Sequence, residues 1–128
     1  MAGTTIRMQG EKQLSLREIH RKLNQIMDIE EVSKNESSIN GVTIWTLVYE
    51  KYYFRIGSYA SAAVVLTEYG TEQTACLVAS GGGGGVVNHS YGANRHFAKD
   101  CLKVLRECGF TVTQSDLEEG GFLERIFK

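Results

Sequence analysis

The chain has 128 residues, 42% hydrophobic and 23% charged, with a formal net charge of −1. That composition excludes a disordered chain and removes the electrostatic case for nucleic acid or an anionic membrane. No stretch approaches eighteen apolar residues and Met1 to Gly10 carries no apolar leader, so no membrane span is expected and the expected location is the cytoplasm.

The length fits one domain, residues 1–128, around one core. Cys76, Cys101 and Cys108 are too few and too scattered for a disulfide framework, and no CxxC pair occurs, which fits a reducing compartment. The chain has no proline.

In chain order, Thr4 to Gln9 alternates weakly and predicts a short first strand. Leu14 to Asp28 predicts a helix. Ser15 and Glu18 form a capping box, and Leu14 with Ile19 stands at the positions of a hydrophobic staple. Leu16, Ile19, Leu23, Ile26 and Met27 make one apolar stripe. Glu31 to Ile39 reads as a polar strand, turned by Asn40-Gly41 into a long strand over Val42 to Phe54. Turns at Gly57-Ser58 and around Gly70 then separate strands over Tyr59 to Glu68 and Gln73 to Ser80. These short links predict an antiparallel meander.

A second helix is predicted over Gly92 to Cys108, with Phe97, Cys101, Leu102, Val104, Leu105 and Cys108 on its apolar face. Gly109 and Phe110 are placed for a Schellman cap, and Phe110 to Gln114 is a last strand. The tail carries Leu117, Phe122, Leu123, Ile126 and Phe127 and is expected to dock. The fold class is α+β: β-α-β-β-β-β-α-β, a mostly antiparallel sheet with two helices on one face. The strand Val42 to Tyr49 is apolar on both sides, so either the tail or a second subunit is expected to cover the other face.

The run Gly81, Gly82, Gly83, Gly84 and Gly85 lies between a strand and a helix, the context of an anion site. It fits neither G-x-G-x-x-G nor G-x-x-x-x-G-K-[ST], and the predicted helix starts several residues later, so it reads first as a structural connection. Asn88, His89, Ser90, Asn94, Arg95, His96 and Asp100 form a polar cluster beside it. His96 and Asp100 share a helical face, which with His89 allows acid–base or metal chemistry. The cluster has no HExxH spacing, and a solvated face with a His–Asp pair explains it as well. Cys101 and Cys108 lie on an apolar stripe and are expected to be inert. No G-x-S-x-G elbow is present.

Val48-Tyr49-Glu50-Lys51-Tyr52, the strands after it, and Ser80 with the glycines resemble a family of small bacterial proteins of unknown function. Over residues 42 to 88 the resemblance implies a small α+β domain, and it brings no catalytic residues with it. The five-glycine run is longer than the one or two glycines usual in that family.

These readings predict a non-catalytic domain that self-associates or binds a partner through its sheet, with no catalytic residue, metal or cofactor. The alternative is a phosphate- or nucleotide-binding domain, or an enzyme, using Gly81 to Gly85 with Asn88, His89, Arg95 and His96.

Overall fold

The structure is a computed structural model and describes residues 3–54, 57–81 and 87–115, of which residues 81 and 87–93 are described by backbone alone. The elements are β1 (Gly3–Glu11), α1 (Leu16–Leu23), β2 (Glu30–Ile39), β3 (Val42–Tyr53), β4 (Ser58–Tyr69), β5 (Glu72–Gly81), α2 (Val87–Glu107) and β6 (Thr111–Ser115). The six strands form one antiparallel sheet in the order β2-β3-β4-β5-β1-β6. The predicted α+β class and element order are those observed.

The hairpin turns follow from their residues. Asn40 and Gly41 both take positive φ, 52° and 82°, as a two-residue hairpin with the strands' own twist requires. Two connections are not hairpins. The first carries the chain from β1 through α1 to β2, and the second from β5 through α2 to β6. β1 and β5 run in opposite directions, and the connections leave toward opposite edges. With one hand of crossover, both helices must then lie on the same face.

That face is the core. Alternate residues of β1, β3, β4 and β5 point into it. Ile6, Leu47, Val64 and Leu77 are fully buried there, with Trp45, Tyr49 and Leu66. α2 lies over β4 and β5 and contributes Phe97, Cys101, Leu102 and Leu105. α1 contributes Leu16, Ile19 and Leu23.

Helix ends depart from the sequence expectation. The capping box at Ser15 forms: Ser15 Oγ accepts from the Glu18 N–H at 3.1 Å, and Glu18 Oε1 accepts from the Ser15 N–H at 3.2 Å. α1 then stops at Leu23, five residues short of Asp28. Asn24 caps it, and Gln25 and Ile26 donate to Lys22 and Leu23 in tighter three-residue turns. Asp28 takes φ 62°, which no helix can continue through. Ile26 still reaches the core, but Met27, expected on the stripe, is exposed. α2 begins at Val87, five residues before Gly92. The hydrophobic tail from Leu117 to Phe127 lies outside the described residues.

α2 ends as expected. Gly109 takes φ 102° and donates to Arg106 O at 3.0 Å, while Phe110 donates to Leu105 O at 3.2 Å. This is the Schellman pair, and it turns Phe110 into the core beside Leu105. The cap leaves no room on β1. A Cβ on Gly10 would stand 2.5 Å from the carbonyl oxygen of Gly109, a backbone atom that cannot swing aside. We therefore expect Gly10→Ala to lower unfolding free energy by about 1–3 kcal/mol in a urea titration, the usual cost of overfilling a packed site.

Candidate functional site

β3 carries a lysine, Lys51, in its core-facing register. Leu47, Tyr49, Lys51 and Tyr53 alternate onto the helix side, and the side chain of Lys51 is only 14% exposed. A buried ammonium needs a partner. α2 supplies it: Lys51 Nζ donates to Asp100 Oδ2 at 3.0 Å, and Tyr53 Oη donates to the same oxygen at 3.3 Å. The ammonium also lies 5.2 Å from the Tyr53 ring centre, over its face. His96, one turn before Asp100, sets its ring 6.1 Å from that of Tyr53.

Lys51 pairs with Ala60, and Ala60 with Gly81. The polar corner and the start of the glycine run therefore share one row of the sheet. Of the residues predicted for a ligand site, Gly81 ends β5. Gly82, Gly83, Gly84 and Gly85 lie outside the described residues, and Asn88 and His89 are described only as backbone of α2. Arg95 is half-buried and His96 exposed. Asp100 is not the partner of His96 that the helical spacing allowed. Its carboxylate is engaged by Lys51 and Tyr53, a pairing the sequence did not announce. Lys51 was detectable, because period-two counting from Leu47 turns a charge inward.

The electrostatics of the corner favour a tether over a nucleophile. Burial, and then the Asp100 carboxylate, push the Tyr53 phenol well above its ordinary range. Cys101 is buried beside Asp100, and desolvation lifts its thiol to about 12, so it stays protonated at neutral pH. Burial likewise raises the Cys108 thiol. Among the described residues, no three His, Cys, Asp or Glu side chains converge as metal ligands.

A second polar cluster was missed entirely. Across β3 from that corner, on the β2 flank where Glu31 pairs with Tyr49, His20 and Asn24 of α1 both bind Glu31 Oε1, with the His20 ring edge-on to Trp45 at 5.8 Å. The hydrogen bond from His20, aided by Asn24, holds the Glu31 carboxyl below its ordinary range against the opposing effect of desolvation. Two grooves open at the β1 end of the sheet. One lies between Gln9, Glu72 and Thr111, the other between Arg7 and Gln114. Neither adjoins a polar corner.

Fold and site together define a small antiparallel α+β protein whose inward charges act as tethers. The chain belongs to a family of unknown function, DUF6054, whose model matches residues 1–109. No curated protein and no solved structure matches it. Among the described residues, no helix is long and apolar enough to cross a membrane.

If Asp100 is a tether, its removal strands a largely buried ammonium. Asp100→Ala should lower stability by about 1–3 kcal/mol. The double variant Lys51→Met/Asp100→Leu should regain most of that, since an apolar pair can replace a desolvated ion pair at little cost and this pair is part-buried. Chemical denaturation of both variants checks this. A double variant no better than Asp100→Ala would contradict the tether.

Proposed function

We propose that this is a non-catalytic domain that self-associates by packing the outer face of its sheet against a second copy. The observation that supports this is the composition of that face. Both helices lie on the other side, and among the described residues no element covers it. Its centre is uncharged and mostly small or β-branched: Thr46 and Val48 on β3, Ala63 and Val65 on β4, Cys76 and Val78 on β5. Charges such as Glu50, Arg7 and Glu72 stand around that centre. Tyr52, Phe54 and Tyr59 cluster at one end, with ring centres 4.9 and 5.1 Å apart, and Phe54 is 85% exposed.

An apolar centre with a charged rim and aromatic anchors is the usual anatomy of an interface. Five strands spaced at ~4.8 Å and ten residues long at ~3.4 Å each span about 800 Å², the area one partner gives to a standard interface. Sheets with such faces pack about 10 Å apart.

The glycine run supports a second reading. α2 starts at Val87, closer to Gly85 than the sequence implied, so the positive end of a helix follows the run. On that reading Gly81 to Gly85, with Asn88, His89, Arg95 and His96, bind an inorganic or esterified phosphate.

Light scattering after size exclusion tests the first reading. The wild type should run as an oligomer, and Val65→Lys, a change on a half-exposed position, should lower its mass without loss of fold. Cys76 should react with a thiol reagent faster in that variant, because Cys101 and Cys108 are buried and silent. A wild type monomeric at high concentration ends the proposal. For the second reading, inorganic phosphate should raise the melting temperature above a chloride control of equal ionic strength; equal curves end it.

A further inference from the structure

We infer that β2 is a second, self-complementary contact, pairing antiparallel with β2 of another copy in one register centred on Asn35. This rests on the free edge of the sheet and is independent of the outer-face reading.

β2 is ten residues long, stands at the end of the strand order, and is exposed at every position. Its inner side is paired with β3, and among the described residues no strand pairs with its outer side, which presents backbone N–H and C=O groups. Such an edge is a template for another strand unless something blocks it. Two blocking devices are present. The register shift between Glu31 and Ser33 makes Val32 the extra residue of a bulge, which confines pairing to the segment after it. Lys34 and Glu36 put charges on that segment.

The spacing of these two charges decides what they block. Lys34 stands opposite Leu47 and Glu36 opposite Trp45, so both lie on the helix side. A two-fold axis normal to the sheet keeps the helices of both copies on one side and pairs helix-side residues with helix-side residues. Shifting such a pairing by steps changes the partners. Centred on Lys34, it sets lysine against lysine. Centred on Glu36, it sets glutamate against glutamate. Centred on Asn35, it sets Lys34 against the second copy's Glu36, and Glu36 against its Lys34. Ser33 then meets Ser37, and Asn35 meets itself. Like charges directly opposite destabilise a strand pair and opposite charges support it. The edge thus rejects the neighbouring registers and accepts this one.

The contributing groups are already placed for it. Lys34 and Glu36 hold each other at 2.8 Å within one strand, with side chains 32% and 46% exposed, and Lys34 lies 4.8 Å from the Trp45 ring centre. The His20 and Asn24 bonds to Glu31 fasten the other end of β2 to α1, so the edge is held in place before it pairs. Two six-stranded sheets would join into one of twelve.

The test is made in the Val65→Lys background, which removes the outer-face contact. By analytical ultracentrifugation that protein should still dimerise with concentration, and the amides of residues 33–37 should gain hydrogen-exchange protection as it does. Adding Lys34→Glu, which sets carboxylate against carboxylate at both symmetry-related pairs, should weaken the dimer by about tenfold or more. Adding Glu36→Lys as well reverses both charges and should restore it. A Val65→Lys protein that stays monomeric with unprotected edge amides overturns the inference. So does a charge-reversed protein that remains as weak as the one carrying Lys34→Glu.

Discussion

The structure depends on register. Leu47 pairs with Val64, Val64 with Leu77, and Leu77 with Ile6, so one row of fully buried aliphatic side chains crosses four strands. Side chains alternate with period two, so a slip of one residue in any of these pairings would turn a whole strand's core residues outward. Helices, corners and the outer face all take their places from that row. Because Lys51 lies four residues along from Leu47, it points inward too, and α2 must answer it. Because Val48 and Val65 fall between core positions, they point away from both helices.

Apolar contact holds the helices down but does not orient them, since the hydrophobic effect has no direction. Direction comes from a few polar bonds. Lys51 and Tyr53 fix α2 through Asp100 on the β3 side. On the β1 side Thr4 Oγ1 and Asn94 Oδ1 lie 3.3 Å apart, both buried. The buried amide of Gln73 donates to Leu14 O and Glu68 Oε1, each at 2.9 Å, which pins the entry of α1 to the β4–β5 end. His20 and Asn24 pin its far end to β2. The inward polar groups therefore read as the positioning system of a two-layer fold. Tyr49 marks its limit: its hydroxyl is buried with no hydrogen-bond partner among the described residues.

The strands were legible because their information is local. Asn40-Gly41, Gly57 and Gly70 punctuate the meander, and all four residues take positive φ in the structure. The Ser15 and Gly109 caps were legible for the same reason. The helix ends that went astray depend on distant partners. Asn24 stops α1 while its side chain serves Glu31, seven residues on and in another element. The start of α2 at Val87 had no apolar period to announce it. The site shows the same division. The inward parity of Lys51 could be counted along β3, but its choice of Asp100 depends on how α2 crosses the sheet. The glycine run was the most conspicuous feature of the sequence. Beyond Gly81 it lies outside the described residues, and the chemistry that can be described sits on β3 and α2 instead.

The two proposed contacts constrain each other through symmetry. Packing outer face on outer face requires a two-fold axis parallel to the sheet. Pairing β2 with β2 requires one normal to it. Isologous contacts about axes at right angles close into a finite assembly only when the axes intersect. Four copies then satisfy every contact. If the axes miss each other, the same two contacts propagate without end. The bulge before Ser33 bears on this choice. It shortens the edge contact and increases the local twist of β2, so the joined sheets cannot stay flat. A strongly twisted pair of sheets presents its two outer faces at an angle, and only a partner with the matching twist can cover both. A second joined pair of the same chain has that twist by construction, which favours closure on four copies over an open array.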